Sequence, residues 1–232
     1  MSDVHVPTST GSGPSVDEMP SRLLLGLAEG YCNLKCPMCW VFGQSDKGTI
    51  NGLRGRTTLE QARQILDDVT GSETLVHTSL WNEPLLTRDF EAHLRQIKER
   101  GLKSNTNTNG LLLDEKTATM LVDLEIDSVM ISIDATTPET YSIVRASDEF
   151  DVVVQNVHRF LHIRGEREYP RIGVTFTVQE ANAHERQAFI DQWTQIVDVV
   201  RVGEMIAQGG KHAEVVTPEN RVPCRSLYHT MA

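Results

Sequence analysis

Short apolar runs and amphipathic stretches alternate along the chain from about residue 22 onward. The apolar runs are bounded by turn residues, which is typical of strands, and a polar run at 102–110 occupies the third strand position. We predict strands over residues 22–30, 73–81, 102–110, 127–134, 171–179 and 198–206. Apolar residues at helical spacing predict helices over 57–71, 88–101, 114–125, 150–165 and 181–197. The first of these helices carries a cap signal, because Thr58 lies three residues before Gln61.

This alternation favours a parallel α/β sheet covered by helices, with right-handed crossovers. Six strands can form an open partial barrel or a doubly wound flat sheet, and the pattern alone does not separate the two. In both architectures, ligands bind at the carboxyl ends of the strands. The residues with unusual chemistry stand at those ends: three cysteines after strand 1, "WNEP" (81–84) after strand 2, "NTNG" (107–110) after strand 3 and Asp134 at the end of strand 4.

Composition narrows the class of protein. The chain has 232 residues, enough for one substantial domain, and a formal charge of −10, so it lacks a global basic footprint for nucleic acid. No apolar run approaches the length of a membrane span. Residues 1–21 have neither the basic start nor the apolar core of a secretory signal, and they are expected to form a flexible polar tail. We therefore predict a cytoplasmic protein that binds neither nucleic acid nor membrane.

Three of the four cysteines follow one another in the spacing C-x3-C-x2-C, as Cys32, Cys36 and Cys39, whereas Cys224 lies near the C-terminus. Structural zinc requires four ligands, usually from paired cysteines. A disulfide or inert buried thiols are a second interpretation of so short a loop in a reducing compartment. An iron–sulfur cluster is a third, and three thiolates would leave one iron without a protein ligand and open to an exogenous one. The spacing alone leaves these alternatives open.

The cysteine motif after the first strand, taken together with the other strand-end motifs, resembles the radical S-adenosylmethionine enzymes over residues 22–207. The resemblance implies a partial (βα)6 TIM barrel with a parallel sheet. It also implies a [4Fe-4S] cluster held by the three cysteines, whose fourth iron chelates S-adenosylmethionine. Reductive cleavage of that cofactor gives a 5′-deoxyadenosyl radical, which abstracts hydrogen from a substrate.

The same resemblance assigns expected roles to residues at the strand ends. Asn82, Glu83 and Pro84 align with a Gly-Gly-Glu-Pro segment that contacts the methionine amino group, although Trp81 and Asn82 replace its glycines. Asn109 belongs to a Thr-Asn-Gly motif after strand 3.

Further positions follow on strands 4 to 6. Ser132 and Asp134 are expected on one face of strand 4 beside S-adenosylmethionine. Arg145 is either a partner for the methionine carboxylate or a surface arginine. Three more residues are expected near the ribose, the substrate or the adenine: Thr177, Val202 and Ile206.

Residues 208–232 resemble the opening of a SPASM extension, which is cut off after its first cysteine, Cys224. The predicted activity is that of an oxidoreductase or carbon-skeleton lyase acting on a small biosynthetic substrate of sugar, nucleoside or aminocyclitol type. An electron donor such as flavodoxin or ferredoxin is the expected partner. A peptide-modifying relative is an alternative, and a glycyl-radical activase is disfavoured because strand 4 reads Ser-Ile-Asp. A non-catalytic zinc or iron–sulfur binding module is the alternative from a different class.

Overall fold

The computed structural model describes residues 19–27, 32–39, 41–43, 56–80, 82–205 and 230–231. Its seven strands are all parallel: β1 (Arg22–Leu24), β2 (Leu75–His77), β3 (Lys103–Thr108), β4 (Ser128–Ser132), β5 (Arg171–Val178), β6 (Val199–Glu204) and β7 (Thr230–Met231). The spatial order is β6-β5-β4-β3-β2-β1-β7. Consecutive strands from β1 to β6 are therefore neighbours, and the sheet does not close. The predicted fold, an open α/β barrel of six βα strands, is confirmed.

In the described ranges, six α-helices follow the strands: α1 (Leu59–Asp68), α2 (Phe90–Glu99), α3 (Glu115–Asp123), α4 (Pro138–Arg145), α5 (Phe150–Arg164) and α6 (Arg186–Trp193). Two short 3-10 turns, Pro84–Leu86 and Ala183–Glu185, lie between them. The predicted cap of α1 is present, because the Thr58 hydroxyl accepts from the Gln61 N–H at 3.2 Å and the Gln61 side chain accepts from the Thr58 N–H at 3.0 Å.

The sequence pattern did not predict α4 or β7. α4 has only eight residues, but a Thr137 cap and Pro138 at its first position are a start signal that the pattern contained. β7 has two residues, which is too short to give a hydrophobic period. β1 and β2 are shorter than predicted, because residues 25–27 and 78–80, which follow them, do not belong to a regular strand. The Leu25 N–H donates to the His77 carbonyl at 2.8 Å beyond the end of β1.

The two faces of the sheet differ in chemistry. On the helix side, alternate residues such as Val76, Val129, Val174 and Phe176 are buried in one continuous apolar core. The opposite face carries mostly polar side chains and Met130. The helices therefore supply the hydrophobic stabilisation, at about 25 cal/mol per Å² of apolar surface buried, and leave the other face free for chemistry. Within the described residues, we find no helix with the length and apolarity needed to cross a membrane.

The turn after β3 is fixed by a glycine. Gly110 has φ +81°, and a Cβ at this position would lie 2.8 Å from Ile131 Cγ2 and 3.2 Å from Val153 Cγ1. Its carbonyl accepts from the buried Asn156 amide at 2.8 Å. A side chain at residue 110 is therefore opposed both by backbone conformation and by close packing.

We expect Gly110→Ala to destabilise the fold by about 2–4 kcal/mol, because it adds a steric overlap to the cost of a left-handed backbone. Gly71→Ala is the matched control, since Gly71 has the same φ of +81° but no atom within 4 Å of the position that a Cβ would take. The control should cost only about 1 kcal/mol. Urea unfolding measures both variants, and equal losses would show that packing at Gly110 contributes nothing.

Candidate functional site

A cavity of about 460 Å³ lies at the carboxyl ends of the strands. Nine of the residues predicted from the sequence line it: Cys32, Cys36, Cys39, Asn82, Glu83, Asn109, Ser132, Arg145 and Thr177. A larger cavity of about 650 Å³ is lined by residues of α2 and α3 and by the cap of α3, and none of the predicted residues lines it. The strand-end cavity is therefore the candidate site, because chemistry rather than size distinguishes the two.

The three thiols each have an N–H group within reach of sulfur. The Leu34 N–H lies 3.4 Å from Cys32 Sγ, the Phe42 N–H lies 3.4 Å from Cys39 Sγ, and Arg145 Nη1 lies 3.7 Å from Cys36 Sγ. Donors directed at sulfur stabilise thiolates, which are the form that binds iron. Burial raises the pKa of the Cys32 thiol, and the Leu34 N–H opposes that rise.

The cysteine loop, which carries Cys32, Cys36 and Cys39, is closed by Gly43, a residue that was not predicted. The Gly43 N–H donates to the Cys39 carbonyl at 2.8 Å, and the Cys39 N–H donates to the Cys36 carbonyl at 2.9 Å. A Cβ on Gly43 would overlap the carbonyl oxygen of Cys36 and lie 2.7 Å from that of Cys39. A glycine four residues after the last cysteine was the available signal.

The three cysteines are reduced and line one cavity. In the described part of the chain, no group of three or more His, Cys, Asp or Glu side chains is arranged to hold a metal ion. Three thiolates that share a cavity fit an iron–sulfur cluster, in which separate iron atoms each take one thiolate.

Glu83 connects the ends of β2 and β3. Its carboxylate accepts from Thr108 Oγ1 at 2.6 Å, from the Asn109 N–H at 2.8 Å and from the Leu85 N–H at 3.2 Å. The side chain is 2% exposed, and burial raises the pKa of Glu83, although these hydrogen bonds and the charge of Arg145 oppose the rise. A cation bound in the cavity would stabilise the ionised carboxylate, and this fits the predicted contact with an ammonium group.

Asn109 joins the β3 turn to the cysteine loop. Its side-chain amide donates to Asn33 Oδ1 at 2.7 Å and lies 3.9 Å from Cys32 Sγ, while its Oδ1 accepts from the Leu111 N–H at 3.0 Å. Two other cavity residues, Asn82 and Asn107, have a buried Oδ1 that finds no hydrogen-bond partner among the residues the structure describes. Unpaired buried acceptors are costly in a protein alone, so these two fit a ligand that donates hydrogen bonds.

Arg145 is not a surface residue. It is the last residue of α4, and its side chain lines the cavity and is 8% exposed. Its Nη2 forms an ion pair with Asp134 Oδ2 at 2.7 Å. Asp134 and Cys36 raise the pKa of Arg145 although burial acts in the opposite direction, so the guanidinium stays charged. The alternative of a solvated arginine is therefore wrong.

The expectation that Ser132 and Asp134 share one face assumed a strand that continues to residue 134. β4 ends at Ser132, whose hydroxyl lies 3.2 Å from Thr175 Oγ1 and lines the cavity. Asp134 has φ +62°, which breaks the two-residue alternation of the strand. Its fully buried carboxylate instead accepts from the Thr177 N–H at 2.7 Å and pairs with Arg145. Burial raises the pKa of Asp134, against the opposing effects of these two partners.

Two further predicted residues that the structure describes, Pro84 and Val202, do not line the cavity. Pro84 starts the 3-10 turn after Glu83, and Val202 on β6 packs against the edge of the apolar core. Trp81, Ile206 and Cys224 lie outside the described residues, as do residues 1–18 of the predicted tail.

A third buried acid, Glu185, was not predicted. It accepts from the Thr136 N–H at 2.5 Å, Thr137 Oγ1 at 2.6 Å and Thr140 Oγ1 at 2.7 Å. Burial acts to raise the pKa of Glu185, but these hydrogen bonds outweigh it and lower the pKa. The carboxylate thus ties the segment before α6 to the first turn of α4, the helix that carries Arg145. Contacts over more than 40 residues leave no periodic signal in a sequence.

The family comparison agrees with this geometry. Residues 30–191 match the Radical SAM superfamily, so the chain belongs to that superfamily. Its members are enzymes that use a [4Fe-4S] cluster and S-adenosylmethionine.

Particular relatives are more distant. The chain is 22% identical over 160 residues to Fe-coproporphyrin III synthase of Methanosarcina barkeri, covering 69% of this chain and 38% of that protein. It is 25% identical over 206 residues to a probable GTP 3′,8-cyclase of Methanococcus maripaludis, covering 82% and 62%. The chain thus spans less than two thirds of the length of either relative.

Solved structures of Streptococcus suis SuiB share the fold. With S-adenosylmethionine bound, SuiB superposes with a TM-score of 0.61 at 18% identity, covering 83% of this chain and 42% of that one. With the precursor peptide SuiA bound, the TM-score is 0.59 at 18% identity, covering 82% and 40%.

The buried state of Glu83 predicts a pH effect on stability. The folded chain binds the Glu83 proton more tightly than the unfolded chain does, because the folded pKa is raised above its ordinary value of 4.5. The free energy of unfolding therefore falls as the pH rises from the ordinary value to the raised one, by about 1.4 kcal/mol per pH unit. Glu83→Gln removes this contribution. Urea unfolding of both forms across that range, without added ligand, should show their difference changing with pH, and a constant difference would contradict the assignment.

Proposed function

We propose that this chain reductively cleaves S-adenosylmethionine at a [4Fe-4S] cluster bound by Cys32, Cys36 and Cys39, and abstracts hydrogen from a small biosynthetic substrate. One observation carries the proposal: the three thiols share one cavity with a buried carboxylate, Glu83, and a buried guanidinium, Arg145. The cluster and S-adenosylmethionine together supply the 5′-deoxyadenosyl radical, after an electron arrives from a donor such as flavodoxin or ferredoxin.

Glu83 and Arg145, two charged side chains that line the cavity, suit a ligand that carries both an ammonium and a carboxylate group. S-adenosylmethionine ends in an ammonium and a carboxylate. Glu83 offers a buried anion for the first, and Arg145 has N–H groups left over for the second. Asn82 lies next to Glu83 with its Oδ1 unpaired, so it replaces the family's glycine with an additional acceptor. We assign Thr177 and Ser132, on the neighbouring strands, to the ribose or the substrate.

The concave face below the cavity supports a polar substrate. Register pairs on neighbouring parallel strands share a face, and those on the side away from the helices are mostly polar. They are His77, Asn105, Asn107, Ser128, Ser132, Thr175, Thr177 and Arg201. A barrel interior filled only by its own side chains would be apolar.

Charge on this face narrows the substrate class. Burial lowers the pKa of His77, and the charges of Arg22 and Arg201 lower it further. Arg22 on β1 and Arg201 on β6 thus give this face basic character around His77. Among the sugar, nucleoside and aminocyclitol candidates, we favour a nucleotide-like molecule with an anionic group. A relative named as a GTP 3′,8-cyclase, aligned over 82% of this chain, is consistent with that preference.

A peptide substrate is the alternative, because SuiB has been solved with its precursor peptide. That likeness is one of fold at 18% identity, and no described residue of this chain favours a peptide over a small molecule. A non-catalytic module that binds zinc or an iron–sulfur cluster is a further alternative.

Anaerobic reconstitution tests the cluster assignment. The wild-type chain should take up iron and sulfide in the ratio of a [4Fe-4S] cluster and release 5′-deoxyadenosine when reduced with S-adenosylmethionine. Cys36→Ala should abolish both, because it removes one of three thiolates. Cys224→Ala is the matched control and should keep both. Bound zinc without cleavage of S-adenosylmethionine would support the binding-module alternative instead.

Equilibrium binding of S-adenosylmethionine to the reconstituted protein tests the role of Glu83. Glu83→Gln should weaken binding by about tenfold or more, because the ammonium loses a buried anionic partner. Glu166→Gln removes the same charge from the exposed loop before β5, at the amino ends of the strands, and should change affinity less than twofold. Equal affinities for both variants would rule out Glu83 as the ammonium partner.

A further inference from the structure

The guanidinium of Arg145 lies between a cysteine sulfur and a buried carboxylate. Nη1 is 3.7 Å from Cys36 Sγ, within hydrogen-bond reach of sulfur, and Nη2 is 2.7 Å from Asp134 Oδ2. Nε is 3.5 Å from the Ile133 carbonyl. The positive charge is therefore directed at a predicted cluster ligand, in a place that water barely reaches.

Neighbouring segments hold this arrangement in place. Asp134 accepts from the Thr177 N–H on β5, and its own carbonyl accepts from the Asn182 amide at 2.9 Å. Glu185 ties down the first turn of the helix that ends at Arg145. Rotating the guanidinium away from Cys36 would leave the Asp134 carboxylate buried without a partner, which is strongly unfavourable.

We propose that Arg145, positioned by Asp134, raises the reduction potential of the cluster by directing a positive charge and an N–H donor at the Cys36 sulfur. This rests on the proposed function, in which Cys36 binds the cluster. Reduction adds one electron to the cluster from an external reductant, and a fixed positive charge nearby stabilises the added negative charge. Net charge and hydrogen bonds to the sulfurs are the means by which proteins adjust such potentials. Arg145 itself transfers neither electron nor proton.

This role is distinct from binding the methionine carboxylate. Nη1 and Nη2 each carry a second N–H, so the guanidinium can contact Cys36 and Asp134 and still donate to a carboxylate. The two roles separate when the potential is measured without S-adenosylmethionine, since only the effect on the cluster then remains.

The test is a redox titration of the reconstituted protein with dithionite, followed by electron paramagnetic resonance and without S-adenosylmethionine. Arg145→Gln should make reduction about tenfold less favourable, a shift of about 59 mV to more negative potential for one electron. Arg167→Gln removes the same charge from an exposed residue in the loop between α5 and β5 and should leave the potential unchanged. Iron and sulfide are measured in every sample.

Two further variants keep the proposal testable, because Arg145→Gln alone leaves Asp134 unpaired. The double variant Arg145→Gln/Asp134→Asn removes both charges and should still shift the potential downward. Arg145→Lys keeps the charge and should shift it less than Gln does. Unchanged potentials with full iron and sulfide would overturn the proposal, as would loss of the cluster in all Arg145 variants, which would assign the arginine to cluster retention. A wild-type chain without iron and sulfide would instead refute the cluster site itself.

Discussion

The ion pair between Asp134 and Arg145 is the interaction on which the candidate site depends. Both side chains are almost completely withdrawn from water, and the desolvation of two charges is repaid only where their remaining hydrogen-bonding groups are also satisfied. The Thr177 N–H satisfies the second carboxylate oxygen, and the Ile133 carbonyl and Cys36 sulfur accept from the guanidinium. The pair thus links the ends of β4 and β5 to α4 and to the cysteine loop. A change in any of these elements alters the position of a positive charge beside a thiol.

A second carboxylate performs the same linking task on the other side of the cavity. Glu83 holds the ends of β2 and β3 together, and through Asn109 it also reaches the cysteine loop. Because Glu83 accepts hydrogen bonds but has no salt-bridge partner among the described residues, its charge is available to a bound cation. The cysteine loop therefore lies between the Asp134–Arg145 ion pair and the Glu83 carboxylate, which has no salt-bridge partner among the described residues. That asymmetry is what a ligand with one amino and one carboxylate group would match.

The sequence predicted the repeating part of this structure well and its local departures poorly. Alternating apolar strands and amphipathic helices depend on side-chain period, which is visible in a single sequence, so the parallel sheet and the strand-end location of the cysteines were predictable. The pattern extended β4 to Asp134, whereas the strand ends at Ser132 and Asp134 has a positive φ. The roles of Asn182 and Glu185 depend on contacts across more than 40 residues, and no local pattern encodes them. α4 is different, since its Thr-Pro start was visible and was not used.

Burying polar side chains on the sheet face away from the helices lowers the stability of the fold, and the apolar core on the helix side offsets this loss. Asn105 is 5% exposed and its side-chain amide donates to the Ser128 hydroxyl, while Asn107, two residues further along β3, has a buried Oδ1 without a hydrogen-bond partner among the described residues. Apolar side chains at these positions would extend the core and stabilise the chain. Polar groups at these positions are favourable only when a bound ligand supplies their missing hydrogen-bond partners. A molecule that binds only the folded chain also stabilises that chain. Binding of a hydrogen-bonding substrate therefore offsets the stability that the unpaired polar groups cost.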